Sequence, residues 1–295
     1  MIFKKLVKSV NTRPKAEYVR KALDKGVVIL DKERTHVRSG FFNVSNLGYC
    51  LRQIYFQHTD AVSAPPGLLK KFGAGVDAGQ RVVRMLRKSG ILFGSYVCSG
   101  CRSTDTLCDI PARRCCEQGD FIYSELSIRN TERKISGKVD LFVRYNKKVI
   151  LGEVKSASTY YKLMDKKNIA TKLAHNVQQA NMYVGMIRSH LRAVEKGRKS
   201  PFLFTDVETG TVVCGSRLGR EMDTSSFLMI YEDKNSNENY VHEFPYDHAM
   251  YLKDLEHIKV FYQHLDEKRR PPKPEDTSKC KYCDYIERCN QKEKK

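Results

Sequence analysis

Residues 135–155 read ISGKVDLFVRYNKKVILGEVK. Two apolar-rich runs, 135–145 and 148–155, flank a turn at Asn146-Lys147 and are expected to form a β-hairpin. With a two-residue turn Tyr145 pairs with Lys148, and the same register sets Asp140 opposite Glu153. A slip of one residue would send the two carboxylates to different faces. Directly opposed side chains have Cβ atoms roughly 4.5–5.5 Å apart, where like charges repel and a divalent cation is the natural remedy. Period two puts Lys155 on the face of Glu153. The apolar runs Leu141-Phe142-Val143 and Val149-Ile150-Leu151 argue that both strands are central in their sheet.

Two carboxylates, the carbonyl of Val154 and a lysine form the oxygen-rich donor set that Mg²⁺ or Mn²⁺ prefers. Such an ion lowers the pKa of a bound water and offsets charge on a phosphorane. Lys155 is placed to orient that water or to neutralise a phosphate oxygen. An exposed hairpin with cross-strand charges is the plainer alternative, and Glu-x-Lys alone is common.

Outward from the hairpin, Pro14–Lys25 has helical spacing and Val27–Leu30 suits a short strand. Asn46–Gln57 and Gly67–Leu92 suit helices, the second with Val76, Val82, Val83 and Leu86 toward a core and Gly90 as its stop. Cys98–Gln118 is expected to be a loop inserted between a helix and the sheet. Phe121–Arg129 alternates as a strand, Lys172–Leu191 repeats as a helix, and Phe202–Asp206, Thr211–Val213, Ser226–Tyr231 and Tyr240–Pro245 suit further strands. Ala249–Leu265 is a helix ended by Pro271-Pro272, followed by a small cysteine-containing tail. The fold class is therefore α/β, a mixed central sheet flanked by helices. The expected divisions are a helical region over 1–95, a cysteine-rich insertion over 96–119, the core over 120–265 and a C-terminal cysteine segment over 266–295.

The 295 residues carry 53 Lys and Arg against 34 Asp and Glu, a formal charge of +19. That excess favours capture of polyanions, with nucleic acid the leading partner. Nine basic residues fall between Ser156 and Ser200, against the acidic Asp165 and Glu195; a solvated helix face is the ordinary meaning of such a run. No apolar run reaches the length of a membrane span, and Met1–Lys5 lacks the pattern of a signal peptide, so no membrane partner and a cytoplasmic location are expected. Ten cysteines without a secretion signal then belong to metal sites or buried thiols rather than to disulfides.

Gly137-x-x-Asp140, Glu153-x-Lys155 and Gln179-x-x-x-Tyr183 together resemble the nuclease core of the RecB-like branch of the PD-(D/E)xK superfamily. The resemblance spans residues 40 to 290. It implies a restriction-endonuclease-like fold in which Asp140 and Glu153 bind metal, Lys155 is catalytic, and Gln179 and Tyr183 position substrate. Glu125, one strand earlier, stands where these proteins often hold a supporting acid; a surface strand charge is its plainer reading.

Cys280-x2-Cys283-x5-Cys289 supplies three thiolates, and Cys50 is the expected fourth. This pattern resembles the iron–sulfur nucleases, among them the CRISPR-associated exonucleases of Cas family four and the AddB nuclease domain. Ligand count suits a [4Fe–4S] cluster or a Cys₄ zinc site equally; the resemblance implies the cluster, stapling the first helices to the tail. Cys98-x2-Cys101 with Cys108 and either Cys115 or Cys116 has ligand-like spacing for Zn²⁺, with free cysteines in a loop as the alternative. Cys214 is expected to be buried.

One departure stands out. Aligning Phe72 and Gly75 with the family's Phe-x-x-Gly-x-x-x-His pattern puts Gly79 where a metal-binding histidine is usual. Asp77 and Gln80 are the nearest substitutes on that helix, His58 and His175 the nearest histidines. The implied activity is metal-dependent exonucleolysis of DNA, on single strands or ends, with Tyr160, Tyr161 and Tyr183 stacking on bases. The implied settings are CRISPR adaptation, recombination or repair, or phage genome processing, with integration or recombination proteins as partners. No Gly-x-x-x-x-Gly-Lys-Ser/Thr is present, so the chain does not drive its own unwinding. A catalytically inactive DNA-end-binding or scaffold protein is the alternative, favoured by the missing histidine.

Overall fold

A computed structural model describes residues 14–33, 40–60, 64–111, 115–117, 119–158, 165–219 and 221–291. Tyr160, Tyr161 and Lys162, expected to contact nucleic acid, and Met1–Lys5 lie outside the described residues. By its own contacts the chain divides into two compact units, Met1–Ser39 with Val62–Asp77, and Gly40–Ala61 with Ala78–Lys295.

The first unit contains α1 (Pro14–Glu33) and the opening turns of α3 (Pro66–Lys88). Proline at the first helical position costs no hydrogen bond, which suits both starts. Val27–Leu30, expected as a strand, continues α1 instead; a short apolar run fits either element by periodicity. Asp24 accepts an ion-pair bond of 2.6 Å from Lys70. Val76 is exposed rather than turned to a core.

The second unit holds two sheets. After β1 (Phe42–Asn43) and α2 (Leu51–Thr59) come the rest of α3, β2 (Leu92–Cys98), β3 (Thr104–Asp109), β4 (Phe121–Ser124), β5 (Leu126–Asn130), β6 (Ile135–Val139), β7 (Leu141–Tyr145) and β8 (Lys148–Ala157). Helices α4 (Lys166–Lys172) and α5 (Ala174–Glu195), β9 (Phe202–Asp206), α6 (Ser216–Gly219), β10 (Met222–Asp233), β11 (Asn239–Pro245), α7 (His248–Asp266) and α8 (Ile286–Asn290) follow. The smaller sheet runs β1-β6-β5-β9; the larger runs β11-β10-β8-β7-β2-β3, with β4 also paired to β2. The β8–β10 pairing is parallel and the β7–β8 pairing antiparallel, so the sheet is mixed.

Both Phe121–Arg129 and Ile135–Tyr145, expected as single strands, are split. The chain leaves the large sheet at Glu125 and returns to it at Asp140. Alternation survives each crossing because only one residue falls out of the pleat, so the pattern hides the break. The Cys98–Gln118 stretch, expected as a loop after a helix, follows a strand instead, and its described residues include β3. Thr211–Val213 makes an isolated bridge, Thr205 to Val212, and no more. Cys214 is exposed rather than buried.

The hairpin turn does what its sequence requires. Asn146 and Lys147 have φ of 46° and 63°, the paired left-handed geometry of a type I′ turn that matches strand twist. Tyr145 pairs with Lys148, and the ladder runs to Leu141–Gly152. A side chain at Gly152 would strike Leu141 Cδ1 at 2.4 Å, so glycine is needed for that closeness.

The large sheet separates two apolar layers. Leu141, Val143, Val154 and Ile230 face α3 through Val82, Val83 and Leu86. Phe142, Val149, Leu151, Met229 and Tyr231 face α5 through Val177, Ala180 and Val184. Six consecutive residues of β8, Val149–Val154, are buried, the mark of a strand covered on both faces. Among the described residues, no helix is long and apolar enough to cross a membrane.

Candidate active site

Glu153 and Lys155 stand on the face of β8 that meets α5. Asp140 does not pair across the hairpin with Glu153, as the register alone would have it, because the ladder ends one residue earlier. It occupies the crossing between β6 and β7, and its Oδ2 accepts a 2.8 Å bond from the amide of Val154. The two acids still meet: the charge of Asp140 helps raise the pKa of Glu153.

Glu153 is fully buried. Lys155 Nζ donates to its Oε1 at 2.6 Å and to Oε1 of Gln179 at 3.1 Å. Gln179 Nε2 in turn donates to the hydroxyl of Tyr183 at 3.3 Å. Gln179 and Tyr183, one helical turn apart on α5, therefore back the lysine as a chain. The ring of Tyr183 leaves no room at Gly137, where a Cβ would lie 2.5 Å from Cε1. This contact ties the glycine of the first motif to the tyrosine of the third. It also corrects one expectation: Tyr183 is 1% exposed and braces Gln179 instead of stacking on a base.

Electrostatics mark the pocket as short of positive charge. Burial pushes Glu153 up to about 8, and repulsion from Asp140 adds to it against the pull of Lys155. Burial and the charge of Asp140 likewise push Glu125 up to about 7, with Lys138 opposing. Asp140 is raised by burial although Lys155 and the Val154 amide both favour its anion. Burial opposes the charge on Lys155, but Glu153 and Asp140 outweigh it and keep the lysine protonated. Glu153 Oε2 is buried without a hydrogen-bond partner. A buried carboxylate oxygen left so is costly, and a divalent cation would satisfy it. The chemistry of this donor set fits a hard divalent cation.

Four residues beside the motifs, in two pairs, have no signal in the sequence reading. Asn176, three positions before Gln179, donates at 3.1 Å to the hydroxyl of Tyr231, which sits next to Lys155 in the β8–β10 register. Arg81 of α3 pairs with buried Glu232 on β10, one residue beyond Tyr231. The helix expected to present a histidine thus presents an arginine, two positions after Gly79. A Cβ at Gly79 would meet nothing within 4 Å, and Asp77 and Gln80 are exposed. His58 packs edge-on against Phe261 with ring centroids 4.9 Å apart. His175 lies on α5 beside Asn176, its pKa lowered by burial and by Lys279 and Lys155. Lys166, Lys167, Lys172, Arg192, Lys196, Arg198 and Lys199 are exposed.

Among the described residues one group of four cysteines could hold a metal ion. Cys98, Cys101, Cys115 and Cys116 bring their sulfurs within 4.8 Å of one another, close enough to coordinate a metal. Cys108 is outside this group, directed at the carbonyl of Gly94. Cys50 caps the start of α2. Its charge and that of Cys280 raise the pKa of Cys283, after burial. Stacking of Phe56 on Tyr285 at 5.8 Å and the ion pair of Asp60 with Arg288 join α2 to the tail.

A family model described as the PD-(D/E)XK nuclease superfamily matches residues 106–290. A solved structure titled "Crystal structure of SSO0001" aligns with 92% of this chain and 96% of that chain at 14% identity and a TM-score of 0.43. No curated protein matches.

Proposed function

The chain belongs to the PD-(D/E)XK nuclease superfamily, and from that premise we propose that it is a Mg²⁺- or Mn²⁺-dependent deoxyribonuclease that trims single-stranded DNA or DNA ends. The observation that carries this reading is the buried Glu153 with an unpartnered oxygen, beside Asp140 and the lysine chain. A bound divalent cation would supply Lewis acidity and a more acidic water. Asp140 and Glu153 would hold it, with the Val154 carbonyl completing the protein donors. Lys155 keeps its proton and presents positive charge where a phosphate oxygen would gain negative charge. Gln179 fixes the direction of that ammonium, and Tyr183 fixes Gln179. Glu125 would support the site from the other sheet crossing. The exposed lysines and arginines at the ends of α4 and α5 would track the DNA backbone.

Cys50, Cys280, Cys283 and Cys289 would hold a [4Fe–4S] cluster tying α2 to the tail. Among the described residues they form no group as tight as the Cys98 set. A cubane, with its thiolates outside the corners of a cube, asks for wider spacing than a single ion does. CRISPR adaptation, recombination or repair, and phage genome processing are the settings in which such trimming is used. The second reading, a DNA-end-binding protein without cleavage, is favoured by one observation, the open space at Gly79.

The test is cleavage of end-labelled single-stranded and duplex DNA with Mg²⁺, Mn²⁺ or EDTA, using protein prepared without oxygen. Metal-dependent loss of the strand, abolished in Lys155→Ala, is the expected result. Binding of DNA without cleavage in saturating Mn²⁺, by protein absorbing near 400 nm as a cluster does, would favour the second reading.

A further inference from the structure

We propose that Cys98, Cys101, Cys115 and Cys116 bind one Zn²⁺ ion in a closed tetrathiolate site at the tip of the β2–β3 hairpin. The sulfurs already lie as two close pairs, Cys98 with Cys116 at 3.4 Å and Cys101 with Cys115 at 3.3 Å. A tetrahedral ion with Zn–S bonds of about 2.3 Å spaces its sulfurs about 3.8 Å apart. With all four sulfurs within 4.8 Å of one another, a small adjustment that opens the two close pairs would admit it. Four sulfurs saturate a tetrahedral ion, so the site has no open position for substrate and is structural.

The backbone turns tightly around the sulfurs. Cys98 ends β2, and the turn from Cys98 to Ser103 is closed by the amide of Cys98 donating to the Ser103 carbonyl at 2.9 Å and that of Arg102 to the Cys98 carbonyl at 3.0 Å. Arg102, immediately after the second cysteine, has φ of 61°. Gly119 closes the site from behind: a Cβ there would lie 2.5 Å from Cys98 Sγ and 2.5 Å from the Gly100 nitrogen.

The tip is also wired to the rest of the unit. The Arg102 guanidinium donates to the Glu208 carbonyl at 3.1 Å. The Glu208 amide reaches Ser124 Oγ at 3.1 Å, and the Val207 amide the carbonyl of Glu125 at 3.1 Å. Zinc at the tip would stiffen the strand crossing that carries Glu125 without touching the acids.

Zinc and iron counted by plasma mass spectrometry on protein purified without oxygen and without added chelator will test the assignment. The expected result is about one zinc per chain, kept in Cys108→Ser and Cys283→Ser and lost in Cys101→Ser/Cys115→Ser. Cobalt substitution of wild type should give the visible bands and near-ultraviolet charge transfer of tetrahedral thiolate. Should the double variant not fold, release of zinc from wild type by a mercurial thiol reagent supplies the same answer. Folded wild type without zinc, retention of zinc in a folded double variant, or an intact mass showing two disulfides would overturn the assignment. None of these readouts depends on DNA cleavage, so the nuclease reading can fail alone.

Discussion

The acid pocket and the cysteine tip, both proposed to bind cations, differ in nearly every other respect. The pocket draws its acids from a sheet crossing and from a strand covered on both faces, and Glu153 within it is wholly buried. Its support comes from α5, distant in sequence. The tip gathers four sulfurs from Cys98 to Cys116, two of them exposed, at the margin of the same sheet. Oxygen donors suit Mg²⁺ or Mn²⁺ and thiolates suit Zn²⁺. Burial in the pocket keeps protons on carboxylates until a cation displaces them. At the exposed tip it is the spacing of the sulfurs, rather than desolvation, that marks the site. The pocket needs several elements to assemble it, whereas the clasp needs one hairpin and the connection that follows it.

The sharpest separation of the two regions is Glu153→Gln. It should lower metal-dependent cleavage by about 10²–10³-fold, on the scale of losing one transition-state-stabilising group, while zinc content stays unchanged. Equal loss of zinc and cleavage would merge the two sites.

Next is pH. Because Glu153 and Glu125 are raised to about 8 and about 7, the metal-free pocket holds protons at neutral pH that a divalent ion must displace. The Mn²⁺ concentration for half-maximal cleavage should therefore fall as pH rises from 6 to 8, by about tenfold per unit for each proton displaced, and level above that. The linkage to stability has the matching sign. A carboxyl raised from 4.5 to about 8 binds more protons folded than unfolded, so metal-free protein should lose stability as pH rises through that window. Thermal melts with and without Mn²⁺ at both ends of it will show whether the ion removes the slope.

Gly137→Ala drives a methyl into the Tyr183 ring and should cost about 1–3 kcal/mol, read as a lower denaturation midpoint. The corresponding change at Gly79, where nothing stands within 4 Å, avoids that clash, although alanine also favours the helix there. The smallest effect is Tyr231→Phe. Removing the acceptor of the Asn176 bond should cost about 1–2 kcal/mol of stability and leave zinc binding intact.

The turn and the hairpin register were readable in the sequence because they are local: two turn residues determine which side chains face each other. The same locality misled at Asp140. Period-two alternation runs from Ile135 to Leu141, across the residue at which the chain changes sheets, so the pattern sets the acid opposite Glu153 rather than over the Val154 amide. Tyr183 looked like a stacking ring because its burial is decided by Gly137, a contact no spacing on α5 reveals. Asn176 and Tyr231 form a polar pair inside an apolar layer, and neither has a motif. At the cysteine tip, spacing sets Cys108 in the group with either Cys115 or Cys116, whereas both of these join it and Cys108 does not. Only the path of β3, which directs Cys108 toward Gly94, separates them.

Calorimetric titration of Mn²⁺ into metal-free protein, repeated at pH 7 in buffers of different ionisation enthalpy, tests the acid pocket most directly. Wild type should bind with release of protons, and Glu153→Gln, folded and zinc-loaded, should lose that binding. Binding without proton release, or binding unchanged in the variant, would contradict the assignment of Asp140 and Glu153 as the cation's holders.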